Sequence, residues 1–168
     1  MRGYLGVIFW LILGGLNALN GQNIEDTFDE NTEIRGTPRL IHYSREDFSG
    51  DPQIWAMCQD ENGILYFGNN DGTLIFDGAR WTKLTLPNNS SIRSLLYSSD
   101  GKVYAGGFND FGIIEKDDFG QYTYHSYLDK LRSEERNLEN IWDIHEVQNH
   151  IIFRSFARLV AISGNKVF

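Results

Sequence analysis

From residue 54 onward, apolar and polar positions alternate in short bursts, each closed by a cluster of Asp, Asn and Gly. A period of two puts successive side chains on opposite faces of a strand. The first stretch predicts strands at residues 54–59, 64–68, 73–76 and 80–84. Their separators are Asp60-Glu61-Asn62-Gly63, Asn69-Asn70-Asp71-Gly72 and Asp77-Gly78, residue types that accept the positive φ of tight hairpins. The scheme returns from Ile92, with Asp100-Gly101 and Asp117 to Gly120, and from Ile141, with Gln148-Asn149 and Gly164-Asn165.

The three stretches align on Ile54, Ile92 and Ile141, and in each a second run begins ten residues later, at Ile64, Lys102 and Ile151. Their starts lie 38 and then 49 residues apart. Units of about 40 residues with several short strands are the signature of propeller blades. The sequence therefore predicts an all-β chain, an incomplete β-propeller of about two and a half four-stranded blades. They fall near residues 52–86, 90–127 and 140–168 of a partial propeller domain spanning 37–168. The extra length before the third unit, residues 128–139, places Leu128, Leu131 and Leu138 near helical spacing, which predicts one short inserted helix. A ring needs about 4–8 blades. The expectation is an N-terminal piece of a longer protein, with residues 39–43 a strand that latches the ring.

The first 22 residues differ in kind. Arg2 precedes an uncharged run of about 13 residues from Tyr4, and the small and polar Asn17, Ala18, Asn20, Gly21 and Gln22 follow. This is the pattern of a secretory signal helix, a cleaved peptide or an uncleaved anchor, and the run is short of the ~20 residues that span a bilayer. Loss of Arg2 with it would take the net charge from −8 to −9. Residues 23–36 are polar and acidic and read as a flexible leader. The acidic balance, 23 Asp and Glu against 15 Lys and Arg, argues against binding nucleic acid. A single cysteine, Cys58, excludes a disulfide framework and is read as a packed thiol.

Residues 52–84 and 89–112 carry Gln53 with Trp55, Tyr66-Phe67-Gly68-Asn69, Asp77-Gly78 with Trp81, and Gly106-Gly107 before Asp110-Phe111-Gly112. In combination these resemble the two-component regulator propeller family, the exported sensor propellers common in the Bacteroidetes. The resemblance runs over roughly residues 37–168. It implies a periplasmic propeller, tethered to the inner membrane in the full-length protein. A β-sandwich, a transmembrane helix and an intracellular output domain would follow.

Single motifs point to little chemistry. Asp110-Phe111-Gly112 and Asp118-Phe119-Gly120 copy the kinase magnesium tripeptide without its Gly-rich loop, lysine strand or catalytic loop, and read as turns. His145 and His150 stand five apart across a strand, turn and strand, not four apart on a helix. Residues 98–102 read as a hairpin turn, and Asn89-Ser90-Ser91 is a formal glycosylation sequon. No catalytic residue, metal or cofactor is expected.

What remains is geometric. In a propeller, the loop leading into the innermost strand and the loop between the second and third strands gather on one face. Those positions hold Gln53, Trp55, Asn69, Asn70, Asp71, Arg93, Phe108, Asn109, Asp110, Trp142 and Arg154, with Phe156 beside the last. Aromatic, amide, carboxylate and guanidinium groups suit a sugar or a peptide, although for each residue alone the plainer reading is structural, Trp55 and Trp142 packing between blades and the rest making turns. The expected function is sensing of a periplasmic ligand, glycan or peptide, or of a partner protein, for a transmembrane signalling regulator. The expected partners are the remaining blades and output domain of the same polypeptide, and a second copy in a full-length homodimer. The alternatives are a secreted propeller enzyme acting on polysaccharide and a non-catalytic interaction module.

Overall fold

The computed structural model describes residues 39–164 and 166–168. The signal helix and the leader lie outside the described residues. Residues 41–168 form one unit of three antiparallel four-stranded sheets, each in simple sequential order. The first holds β1(Ile54–Gln59), β2(Leu65–Asn69), β3(Gly72–Phe76) and β4(Trp81–Leu84). The second holds β5(Ile92–Tyr97), β6(Val103–Gly107), β7(Phe111–Lys116) and β8(Tyr122–Ser126). The third holds β9(Asp143–Val147), β10(His150–Arg154), β11(Leu159–Ser163) and the short β12(Lys166–Val167). The all-β blade reading of the sequence is borne out. Among the described residues no sheet closes on itself.

Aspartates build the turns. The Asp60 Oδ1 accepts from the backbone N–H of Asn62 and Ile64, both at 2.9 Å. Asp77 does the same for Ala79 and Arg80, and Asp117 for Phe119 and Gln121. Gly63, Gly78 and Gly120 supply the positive φ that follows. An aspartate that bonds its own turn fixes hairpin register locally, so each side chain reaches its intended face.

The faces then stack. Between the first two sheets lie Tyr66, Ile75, Ile92, Val103, Ala105 and Ile114. Between the second and third lie Tyr104, Phe111, Ile113, Ile144, Phe153 and Ile162. Each large apolar side chain so buried contributes about 1.5–3 kcal/mol. The innermost strands lie against one another, β1 on β5 and β5 on β9, while contact between the outer strands β4 and β8 is sparse. Sheets that meet at their inner strands and part outwards are wedges around an axis.

The junctions share one device. Gly68 and Gly106 each stand fourteen residues after the leading isoleucine of their unit. A β-carbon at Gly68 would fall 2.9 Å from the Ile92 carbonyl oxygen. The leading isoleucine of each following unit sits where that side chain would have been. Ile92 and Ile141 are fully buried there.

Three expectations change. Residues 39–43 form no strand. Instead Tyr43 packs edge-on against Phe76 (5.1 Å between centroids) and Trp81 (5.4 Å), and Phe48 of the short helix α1(Arg45–Phe48) packs on Trp81 (5.6 Å). This segment covers the face of the first sheet turned away from the second. The insertion at 128–139 is two separate 3₁₀ turns, Leu128–Lys130 and Ser133–Glu135, not a single α-helix. Leu131, directly after the first turn, and Leu138, beyond the second, are buried. Of the first kinase-like tripeptide, Phe111 and Gly112 lie in β7 rather than in a turn.

Candidate functional site

Both of the first two inner strands carry an irregularity at their second residue. The β1–β2 register shifts between Ile54 and Ala56, and the β5–β6 register between Ile92 and Ser94. Trp55 and Arg93 are the residues left without a cross-strand partner. A bulge of this kind re-aims the side chain it carries. In the third unit Trp142 stands just before β9 and donates its backbone N–H to the Arg154 carbonyl at 2.8 Å. Trp55, Arg93 and Trp142 each follow the leading isoleucine of their unit.

These three equivalent positions converge. The Arg93 guanidinium carbon lies 3.7 Å from the Trp55 ring centroid and 5.8 Å from that of Trp142. Both distances fall within the range of cation–π attraction. Phe156, exposed, tilts against Trp142 at 5.6 Å. Phe108 is also exposed, at the same end of the strands.

The Trp55 indole is held from behind. Its Nε1–H donates to the Asn70 Oδ1 at 2.8 Å, and the Asn70 Nδ2 donates to the Asp51 Oδ1 at 3.0 Å. The same Asp51 oxygen accepts the Gln53 N–H at 2.8 Å. The Trp142 Nε1 is shielded from solvent and has no hydrogen-bond partner among the described residues. Arg93 spends one of its five N–H groups, Nε, on the Ser91 Oγ at 3.1 Å. It takes part in no ion pair among the described residues. Burial pulls its guanidinium below the ordinary value.

The other sequence candidates have work inside the fold. Asn69 is fully buried; its Nδ2 donates to the Asp51 and Gln53 carbonyls, and its Oδ1 accepts from the Asp51 and Asp71 N–H groups. Asn109 takes the left-handed backbone, at φ 50°, and its Oδ1 accepts from the Leu138 and Glu139 N–H groups. This ties the insertion to the β6–β7 loop. Asp110 is buried and accepts from the Tyr124 and Ser126 hydroxyls. Asp71 lies 3.9 Å from the Lys83 Nζ. Arg154 is paired with Asp143 through Nε at 2.7 Å and through Nη2. Gln53 turns its Nε2 to the Ile54 carbonyl at 3.0 Å.

Two inter-blade clefts of about 540 Å³ each open at the opposite ends of the strands, one by Asp60, Tyr66 and Tyr122, the other by Asp100, Tyr104 and Glu146. Several of their walls are turn groups already bonded to one another, as Tyr66 is to Asp60 and Tyr104 to Asp100. The tryptophan–arginine face, by contrast, concentrates unspent donors and ring surface. Among the described residues no group of His, Cys, Asp and Glu is placed to hold a metal ion. Sequence reasoning named all three converging residues but not their convergence. The signal for it was their shared place, one after each leading isoleucine. Asp51 and Ser91, the residues that brace the pair, were missed, because short polar side chains in loops carry no pattern.

Residues 48–71 match the profile of the two component regulator propeller family. No curated protein matches. Among solved structures, the extracellular domain of a proposed hybrid two component system from B. thetaiotaomicron is similar at a TM-score of 0.53 and 16% identity, over 74% of this chain and 16% of that one. A protein of unknown function from Bacteroides caccae is similar at a TM-score of 0.49 and 14% identity, over 69% and 44% of the two chains. The present chain thus spans 16% of the length of the first of these. One stretch of the chain, residues 48–71, thus matches a two component regulator propeller repeat, and the three stacked four-stranded sheets share the fold of the first of these structures.

Proposed function

We propose that the chain is part of an extracytoplasmic sensor propeller whose ligand- or partner-binding face is built on Trp55, Arg93 and Trp142, and whose full-length protein is a transmembrane signalling regulator. The observation that carries this reading is the convergence of three repeat-equivalent side chains from three blades. Structural repeats need packing residues at equivalent positions. Here the equivalent positions hold half-exposed aromatic and cationic groups at one end of the strands, where packing does not require them.

Likeness to an extracellular domain of a two component system supports the exported setting. Among the described residues no helix is long and apolar enough to cross a membrane. Occupation of the face can signal only if the ligand binds one arrangement of the blades more tightly than another. A group that touches three blades at once meets this requirement, because any change in blade spacing changes its contacts.

The test is thermal unfolding of the chain against panels of oligosaccharides and peptides. A ligand of this face raises the midpoint, and the rise keeps growing with the logarithm of ligand concentration above its Kd; Trp55→Ala and Trp142→Ala abolish that rise. A rise unchanged in both variants moves the site elsewhere. The absence of a rise with any member of either panel removes the sensor reading of this face.

A further inference from the structure

The three blades are not joined alike. The second and third are bonded at both ends and in between. Near the axis the Ser94 hydroxyl donates to the Ile141 carbonyl, and the Ile141 N–H donates to the Gly107 carbonyl, both at 3.0 Å. At the end that carries Trp142, Asn109 clasps the chain entering the third blade. Its N–H donates to the Glu139 carbonyl at 2.8 Å, and its Oδ1 accepts from the Leu138 and Glu139 N–H groups. At the opposite end the Ser99 backbone N–H donates to the Glu146 Oε2 at 2.9 Å, and the Ser99 hydroxyl donates to the Oε1.

The first and second blades lack these bonds, and the equivalent positions show why. Ala56 and Ser94 each stand two residues after the leading isoleucine of their unit, paired with Gly68 and Gly106. Alanine has no hydroxyl to give the Ile92 carbonyl. At the opposite end, Glu61 and Tyr97 hold the places of Ser99 and Glu146. Among the described residues no hydrogen bond or ion pair joins residues 54–84 to residues 92–126, and the Tyr122 hydroxyl, shielded at this junction beside Tyr66, has no partner. What holds the two blades is the apolar cluster of Tyr66, Ile75, Val103 and Ile114, with the Arg93 cation over Trp55. The connector between them sides with the second blade, where Asn88 donates to the Phe108 carbonyl at 3.2 Å. The segment before β1 sides with the first, through the Lys83 ammonium on the Ser49 carbonyl at 2.9 Å.

A hydrogen bond fixes distance and direction. Apolar burial is non-directional, so two apolar faces can slide by a small amount without leaving a polar group unpaired. We propose that the second and third blades form one rigid body and that the first blade shears against it. On the sensor reading above, that movement opens and closes the Trp55–Arg93 contact while Arg93 and Trp142 stay in step, so the face has one moving wall.

The experiment measures spin-label distances by double electron–electron resonance in the full chain carrying Cys58→Ala. Labels go two at a time on Asn62→Cys, Asp118→Cys and Asn149→Cys, exposed positions in one turn of each blade at the same end of the strands. The distance distribution between residues 62 and 118 should be broader than that between 118 and 149 by about 1–2 Å, the size of an interface shift. Ser94→Ala with Ser99→Ala should broaden the second distribution by a similar amount. Ala56→Ser, which supplies the missing donor, should narrow the first. Circular dichroism verifies the fold of each variant, and should the double variant not fold, Ala56→Ser decides alone. Equal widths in the parent chain overturn the proposal, as does a broader distribution between 118 and 149. A width between 118 and 149 that the folded double variant leaves unchanged overturns it as well. No ligand is present in any sample, so these failures leave the sensor reading standing, and that reading falls only in the thermal test.

Discussion

Ile141 sits on Gly106 so closely that a β-carbon on the glycine would fall 2.5 Å from the isoleucine Cγ2 and 2.6 Å from the Ser94 Oγ. The Ser94 hydroxyl also donates to the Ile141 carbonyl at 3.0 Å. The second and third blades are thus joined through a contact with no room for even one methyl group.

Gly106→Ala should therefore destabilise the chain by about 1–3 kcal/mol, the usual effect of overpacking. Urea unfolding measures it. Combined with Ile141→Ala, which removes the Cγ2 at 2.5 Å but leaves the Ile141 Cβ at 2.7 Å and the Ser94 Oγ at 2.6 Å, the two losses should fall short of additivity by about 0.5 kcal/mol. Strict additivity would show that the two residues do not meet.

Cys58 lies in β1 against the core between the first two blades, and burial, helped by Asp60, pushes its thiol up from 9.0 to about 12. A raised value favours the protonated thiol in the folded state. That contribution is fully present below pH 9 and is lost as the pH climbs from there towards 12. At pH 8 iodoacetamide should modify the folded chain roughly two to three orders of magnitude more slowly than the urea-unfolded chain, because only the thiolate reacts. Equal rates would mean an open thiol.

Burial also raises the Asp110 carboxyl above its ordinary 3.8, against the opposing hydrogen bonds from Ser126 and Tyr124. The folded state then takes up a proton more readily than the unfolded chain. The associated stability is greatest below pH 3.8 and declines as the pH rises through the folded value. Asp110→Asn, whose amide oxygen can accept both hydroxyls, should remove that pH dependence and be near neutral or stabilising at pH 7. Asp110→Ala strands the buried Tyr124 hydroxyl and should cost about 1–3 kcal/mol. Unfolding curves of the three proteins at pH 4 and pH 7 decide it.

Asn70 is the brace of the Trp55 indole. Asn70→Ala should shift tryptophan emission and raise its accessibility to iodide quenching, while leaving stability within about 1 kcal/mol, since the bond is exposed. An unaltered spectrum would mean that Trp55 is fixed by Arg93 alone.

The blades were legible because their determinants are local. Asp60, Asp77 and Asp117 each close a hairpin within four residues, and Ile54, Ile92 and Ile141 mark the same step in each unit. The packing of Tyr43 and Phe48 on Trp81 was not legible, because those residues belong to no repeat and act through ring contacts across more than thirty positions. The insertion misled for a related reason. Leu131 directly follows the first turn and Leu138 lies beyond the second, so helical spacing reflected two independent anchors rather than one amphipathic face. At the site, Asn69, Asn109 and Asp110 are the residue types that bind ligands and also those that fasten loops. Only their partners, all within the chain, tell the two uses apart.

The lid of Tyr43 and Phe48 has a bearing on assembly. Stacked sheets invite another sheet to join at either end. At the Trp81 side, however, an incoming sheet would find aromatic rings already seated where its own side chains must go. Any addition there, by another blade or a second molecule, must lift those rings away or take them into the new contact, so growth of the stack is hindered at one end by the chain itself.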